Sequence, residues 1–176
     1  MPERPACDVL VIGAGVAGYT AALAAADAGA SVMLATKLGL ASSNTAKAQG
    51  GIQAALGPDD SPAQHAADVI AASHETANPA LVAALTGDAP AAIARLEGYG
   101  VVFDREDGGY RLARCGGATR RRLLQVGDRT GHAIATALRA AVGADERIET
   151  RDHAPLEALD QGQRGWLVSL GQRSGG

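Results

Sequence analysis

Apolar and polar positions come in blocks along this chain, and the first blocks are the most regular. Asp8-Val-Leu-Val-Ile12 is a short aliphatic, β-branched run, the pattern of a strand buried on both faces. Gly13 to Gly18 punctuates it. Val16 to Ala28 is alanine-rich and predicts a helix ending near Gly29. Ser31-Val-Met-Leu-Ala35 predicts a second strand, so strand, helix and strand fit within about 30 residues, as a βαβ unit requires.

Further along the signals are shorter. Gly57 to Pro62 is rich in Gly, Pro and Asp and predicts a loop. Ser61 or Pro62 opens a helix reaching about Ser73. Asn78 has the character of an N-cap, with Pro79 in the first helical turn. Pro90 marks the start of a third helix over Ala89 to Tyr99, with Gly100 as its stop. Val101-Val-Phe103 and Tyr110-Arg-Leu112 predict a hairpin around Asp104 to Gly109. Asp128 or Thr130 caps a helix reaching Val142. Arg147 to Leu159 contains a strand, and Gly165 to Leu170 is another. Gly171 to Gly176 is polar and glycine-rich and predicts a disordered tail. No internal repeat is visible.

The 176 residues suffice for one domain with a sizeable core. Aromatics are 3% against 47% hydrophobic residues, so small side chains build that core. A net charge of −3 offers no bulk attraction to nucleic acid. The two cysteines, Cys7 and Cys115, match no zinc or disulfide spacing, which suggests a reducing, cytoplasmic setting. Gly13, Gly15 and Gly18 interrupt the most apolar window, so no membrane insertion is expected. No secretory leader pattern precedes Val9.

Gly13-x-Gly15-x-x-Gly18 sits between a predicted strand and a predicted helix, the context that gives a dinucleotide fingerprint its meaning. Its first glycine permits the turn, the second a close approach of backbone to pyrophosphate, the third close helix–strand packing. The helix N-terminus then offers free N–H groups to phosphate. The acid expected at the end of the second strand is missing; the chain reads Leu34-Ala-Thr-Lys-Leu38. Two readings compete. Lys37 meets a 2′-phosphate, which implies NADP, or Thr36 and main-chain groups near Lys37 hold an adenosine ribose, which implies FAD. A solvated Lys37 with no ligand is the bland alternative.

The stretch Ser42 to Leu56, SSNTAKAQGGIQAAL, is polar, then glycine-rich, then apolar. Ser42, Ser43, Asn44, Thr45 and Gln49 carry hydrogen-bonding side chains, and Gly50-Gly51 carries none. Together with VIGAGVAG and ATK, this stretch resembles the FAD-binding start of one flavoprotein family. Its members are the flavoprotein subunits of succinate dehydrogenase and fumarate reductase, and L-aspartate oxidase. The likeness continues through DSPAQHAADVI, FDREDGGY, CGGATRRR and GDRTGH, over about residues 6 to 160.

The resemblance implies an α/β Rossmann-type FAD-binding domain with a parallel sheet, incomplete relative to the family. It implies an N-terminal part over residues 1–170, a helical and hairpin insertion over 61–125 within it, and a tail over 171–176. It implies that Gly13, Ala14, Gly15, Val16, Ala17 and Gly18 cradle the pyrophosphate, and that Thr36 and Lys37 stand at the ribose. Ser43, Asn44, Thr45, Ala48, Gln49, Gly50 and Gly51 then wrap the flavin, and Ala154, after His153, passes the adenine. Respiratory members carry a histidine joined to the flavin; Asn44 stands there in this chain, so FAD is expected to be non-covalent.

The resemblance also bears on substrate. L-aspartate oxidases place a glutamate just before a Gly-Gly pair, where its carboxylate faces the substrate ammonium. This chain has Cys115 before Gly116-Gly117, which favours a fumarate- or succinate-type flavoprotein acting on a small C4 dicarboxylate. GDRTGH points the same way, whereas Ser43-Asn-Thr and Thr119-Arg-Arg-Arg122 are closer to L-aspartate oxidases. Arg120, Arg121 and Arg122 attract a dicarboxylate or form a solvated or carboxylate-pairing face. His65, His74 and His132 lack ligand spacing, and surface or capping roles are expected.

No catalytic residue or metal site is named, because the family's dicarboxylate groups come from a capping domain and later segments that this chain does not match. An incomplete sheet implies uncovered apolar faces, poor solubility, and a complementing polypeptide as partner. The remaining alternative is a stand-alone FAD or NADP module without catalysis.

Overall fold

The computed structural model describes residues 6–163 and 165–172; the remainder of the expected tail, 173–176, lies outside the described residues. The opening βαβ unit forms where the periodicity places it: β1 (Val9–Ile12), α1 (Val16–Asp27) and β2 (Val32–Ala35). The polar stretch is not a plain loop. It holds a single helical turn, α2 (Asn44–Lys47), and a short strand, β3 (Ile52–Gln53). Two helices follow, α3 (Pro62–Ala72) and α4 (Pro79–Gly98). Then come β4 (Arg105–Glu106), β5 (Gly109–Tyr110), β6 (Leu123–Leu124), α5 (Thr130–Ala144), β7 (Ile148–Arg151), β8 (Leu156–Gly162) and β9 (Gly165–Leu170).

These elements gather into two compact units. One comprises residues up to Lys47 together with those from Ile134 onward; the other is Ala48–Ala133. In the first unit β2 is the middle strand of a parallel sheet ordered β1-β2-β7, with Val32 opposite both Val9 and Ile148. Being central, β2 is buried at all its positions, which is why it reads as an unbroken apolar run. The alanine-rich α1 packs on this sheet through Tyr19, Ala22, Leu23 and Ala26, spaced three and four apart. Ser31 donates through N–H and hydroxyl to the Asp8 carboxylate at 2.8 and 2.7 Å, closing the sheet's entry. Those bonds hold the Asp8 carboxyl below its usual pKa. The expected strand between Arg147 and Leu159 is two strands. Asp152 to Pro155 separates the parallel β7 from β8, which pairs antiparallel with β9.

In the second unit α3 packs against α4. Asn78 caps α4 as its sequence predicts, accepting from Ala80 and Leu81 N–H groups, and Ser61 caps α3 through Gln64 N–H. Pro90 does not start a separate helix. It lies inside α4, because Val82, Thr86, Ile93 and Leu96 form one buried stripe across it, and packing that stripe outweighs a lost hydrogen bond. The hairpin is also shorter than expected: Arg105 and Glu106 pair with Tyr110 and Gly109. Asp107 (φ 50°) and Gly108 (φ 81°) supply the two positive-φ positions of a two-residue turn. Val101 and Phe103 are buried core residues rather than strand. Among the described residues no helix is long and apolar enough to cross a membrane.

Candidate functional site

The glycine turn after β1 depends on bare backbone at two of its positions. Gly13 has φ 109°, a conformation that L side chains rarely adopt. A Cβ on Gly18 would sit 1.8 Å from the Gly13 carbonyl oxygen, so helix and turn touch only because that position is bare. Gly15 is the N-cap of α1 and supplies no side-chain cap. The N–H of Val16 is taken by Thr45 Oγ1 at 3.1 Å. The N–H groups of Ala17 and Gly18 have no acceptor among the described residues, as the first turn of a helix dictates. The first turn carries no acidic residue to occupy them. This end of α1, with its orphan donors and positive dipole end, suits a diphosphate.

The end of β2 lies beside Ala154. Thr36 N–H donates to the Arg151 carbonyl, and Ala154 N–H donates to the Thr36 carbonyl, both at 2.9 Å. Thr36 and Ala154 are buried, while Lys37 is exposed. His153 adopts φ 50° and donates its N–H to the Leu38 carbonyl at 3.3 Å. The segment Ala35 to Leu38 holds no acid, and its uncharged polar groups are those of the main chain and Thr36. Tyr19 closes the following loop from below, its hydroxyl donating to the Leu40 carbonyl at 2.6 Å. Burial raises the Tyr19 pKa above its ordinary value.

The first unit thus brings together Gly13, Ala14, Gly15, Val16, Ala17, Gly18, Thr36, Lys37, Ser43, Asn44, Thr45 and Ala154. Ser43 Oγ accepts from Ala46 N–H at 3.2 Å, which caps the α2 turn, and Asn44 is exposed at its start. Ala48, Gln49, Gly50 and Gly51 belong to the second unit. There the structure gives Gly51 a reason the sequence does not: a Cβ would come within 2.5 Å of the Leu124 carbonyl oxygen on β6. A Cβ on Gly50 would meet nothing within 4 Å. The Gly50 carbonyl accepts from Gln125 Nε2 at 3.2 Å and from Thr130 Oγ1 at 3.3 Å. Thr130 is therefore a positioning residue for the glycine pair. In the sequence it stands out only as a cap for α5, with Asp128 as the alternative; α5 begins at Thr130.

The arginine segment divides. Arg122 is fully buried and forms a fork to Asp60, at 2.8 and 2.9 Å, and a third bond to Asp68 at 2.8 Å. Asp68 also accepts from the N–H and hydroxyl of Thr119, which hold its carboxyl below the usual range. So Arg122 pairs carboxylates inside the second unit rather than attracting them from solution. His65 corrects the expected surface role. It is 5% exposed on α3, and its Nδ1 has no partner among the described residues. Burial lowers its pKa, as does the adjacent Arg122 guanidinium, while Asp60 and Asp68 oppose the shift. His74 and His132 are exposed as expected.

Residues 8–175 match the family described as FAD binding domain, and the chain belongs to that family. It is 42% identical to an L-aspartate oxidase of Caulobacter vibrioides over 92% of this chain and 32% of that protein. It is 39% identical to a polypeptide of the fumarate reductase (CoM/CoB) of Methanothermobacter marburgensis, over 87% of this chain and 29% of that protein. It superposes on Mycobacterium smegmatis Sdh1, solved in complex with UQ1, with a TM-score of 0.85 and 31% identity. That superposition covers 89% of this chain and 29% of that one. The chain thus spans about a third of the length of the curated relatives it matches. The FAD-binding α/β fold and the flavoprotein oxidoreductase family stand on these matches, with FAD rather than NADP as the cofactor.

Proposed function

We propose that this chain is the N-terminal part of a flavoenzyme that moves hydride between FAD and a C4 dicarboxylate of the fumarate or succinate type. Bound FAD supplies the hydride chemistry. The main-chain N–H groups of Ala17 and Gly18 hold its pyrophosphate, and Thr36, Lys37 and Ala154 hold the adenosine side. Ser43, Asn44, Thr45, Ala48, Gln49, Gly50 and Gly51 border the ring, with Thr130 fixing the Gly50 carbonyl. Asn44 carries an amide, which forms no covalent link to the ring, so the flavin is held by contacts alone.

Cys115 carries the choice of substrate class. It closes a turn in which Ala118 N–H donates to its carbonyl at 3.2 Å and Gly117 adopts φ 80°. By resemblance, L-aspartate oxidases present a carboxylate at this turn. A thiol there leaves a substrate ammonium unbalanced, which disfavours an amino acid and suits a plain dicarboxylate. A second reading, oxidation of L-aspartate, is favoured by the 42% identity to the Caulobacter relative. Because the chain spans about a third of its relatives, turnover is proposed for the complete assembly, with further polypeptide supplying the proton donor.

The test has two parts. Chain loaded with FAD shows a visible flavin band, and acid precipitation leaves that flavin in the supernatant; flavin in the pellet contradicts the non-covalent reading. In the complete assembly, succinate then perturbs the flavin band and aspartate does not. The opposite order selects the second reading.

A further inference from the structure

The segment from Arg114 to Arg122 carries more positive charge than the carboxylates around it neutralise. Arg122 is committed to Asp60 and Asp68. Arg114, Arg120 and Arg121 line one half-open cavity of about 260 Å³, together with Thr119 and Asp59. Two of the three are anchored there. Arg114 Nε donates to the Ala118 carbonyl at 2.9 Å, and Arg120 Nε donates to the Asp59 carbonyl at 3.0 Å. These bonds orient the forks without neutralising them, because both acceptors are uncharged. Arg114 and Arg121 have no ion-pair partner among the described residues.

Among the described residues, the only carboxylate lining the cavity is that of Asp59, 3.5 Å from Arg120 Nε and 75% exposed. At that distance and exposure it screens its neighbour weakly. Three guanidiniums against one carboxylate leave two positive charges around a single space. Like charges gathered this way repel unless an anion joins them. The space is also far larger than the roughly 30 Å³ that one water occupies in the liquid. The Thr119 hydroxyl is already engaged with Asp68, so the arginines supply the binding chemistry.

We infer that this cavity binds a small oxyanion with two negative charges, gripped by Arg114, Arg120 and Arg121. A planar guanidinium matches carboxylate and phosphate oxygens alike, so a dicarboxylate and a phosphate share the chemistry required. The site lies wholly within the second unit and does not depend on the flavin.

Calorimetric titration of this chain with succinate, inorganic phosphate and acetate, at one fixed low ionic strength, tests it without reference to activity. At least one dianion saturates a single site about tenfold more tightly than acetate. Arg121→Ala and Arg114→Gln each weaken it about tenfold, the loss of one charge-assisted contact. Tighter succinate assigns a dicarboxylate, and tighter phosphate assigns a phosphate group. Arg121 is exposed and unpaired among the described residues, so its variant should melt with the parent. Asp59→Asn removes the competing carboxylate and tightens binding. Absence of saturable binding by both dianions overturns the inference. So does equal affinity in parent and arginine variants, or weaker binding in Asp59→Asn.

Discussion

Thr45 Oγ1 accepts the main-chain N–H of Val16 at 3.1 Å, joining residues 29 apart at the N-terminus of α1. A side chain from a distant stretch thus does what an N-cap residue does in most helices, because the cap position itself is Gly15. Thr45→Val removes the acceptor and should cost about 1 kcal/mol, while Thr45→Ser keeps most of it. Urea denaturation of the three proteins checks this, and an unchanged midpoint in Thr45→Val would remove the cap.

The two adjacent glycines should respond differently to alanine. In Gly51→Ala the new Cβ meets the Leu124 carbonyl oxygen at 2.5 Å, forcing β3 from β6 at a cost of about 1–3 kcal/mol. Gly50→Ala meets nothing within 4 Å and should stay within about 0.5 kcal/mol of the parent. If Gly50 borders the flavin, its variant loses FAD affinity while keeping stability. Thermal melts paired with flavin titration separate the two effects.

The buried Arg122 fork predicts a strong asymmetry between breaking a pair and replacing it. Asp60→Ala leaves Arg122 buried with one fewer partner, at a cost of about 3–5 kcal/mol. The combined Asp60→Leu, Arg122→Met protein should lose less than Asp60→Ala alone. Denaturation midpoints of the single and combined variants decide, and additive losses would count against a coupled pair.

His65 sets a pH window for stability. Its folded pKa lies below the ordinary 6.5, so the unfolded chain takes up the proton first. Stability is therefore full above about pH 6.5 and falls as pH drops toward the lowered folded value. His65→Gln should flatten that part of the profile. A second loss belongs at stronger acidity, where Asp145, held near a pKa of about 2 by Arg147, takes up its proton. Stability against pH from 7 to 4, measured on parent and variant, shows whether the first window disappears with the imidazole.

Local signals carried much of this protein. Four-residue apolar runs specify β1 and β2, and glycine spacing specifies the turn between β1 and α1. Ser61 and Asn78 cap the helices they precede. These features depend on residues within a turn or two of one another. Pro90 misled because its local effect is to break a helix, while the stripe from Val82 to Leu96 is satisfied only by packing. The hairpin shifted because Asp107 and Gly108 choose the turn, and the turn fixes the register.

The chain by itself determined the βαβ entry, the glycine turn with its free N–H groups and the family likeness, since each is written in neighbouring residues. Only tertiary structure decided that Thr45 caps α1 and that Gly51 is bare because Leu124 lies against it. It also decided that His65 is buried beside Arg122, and that Asp59 meets Arg114, Arg120 and Arg121 around one cavity. Those contacts join positions far apart in sequence, and whether a polar side chain meets water, a carboxylate or a carbonyl depends on which distant segment folds against it.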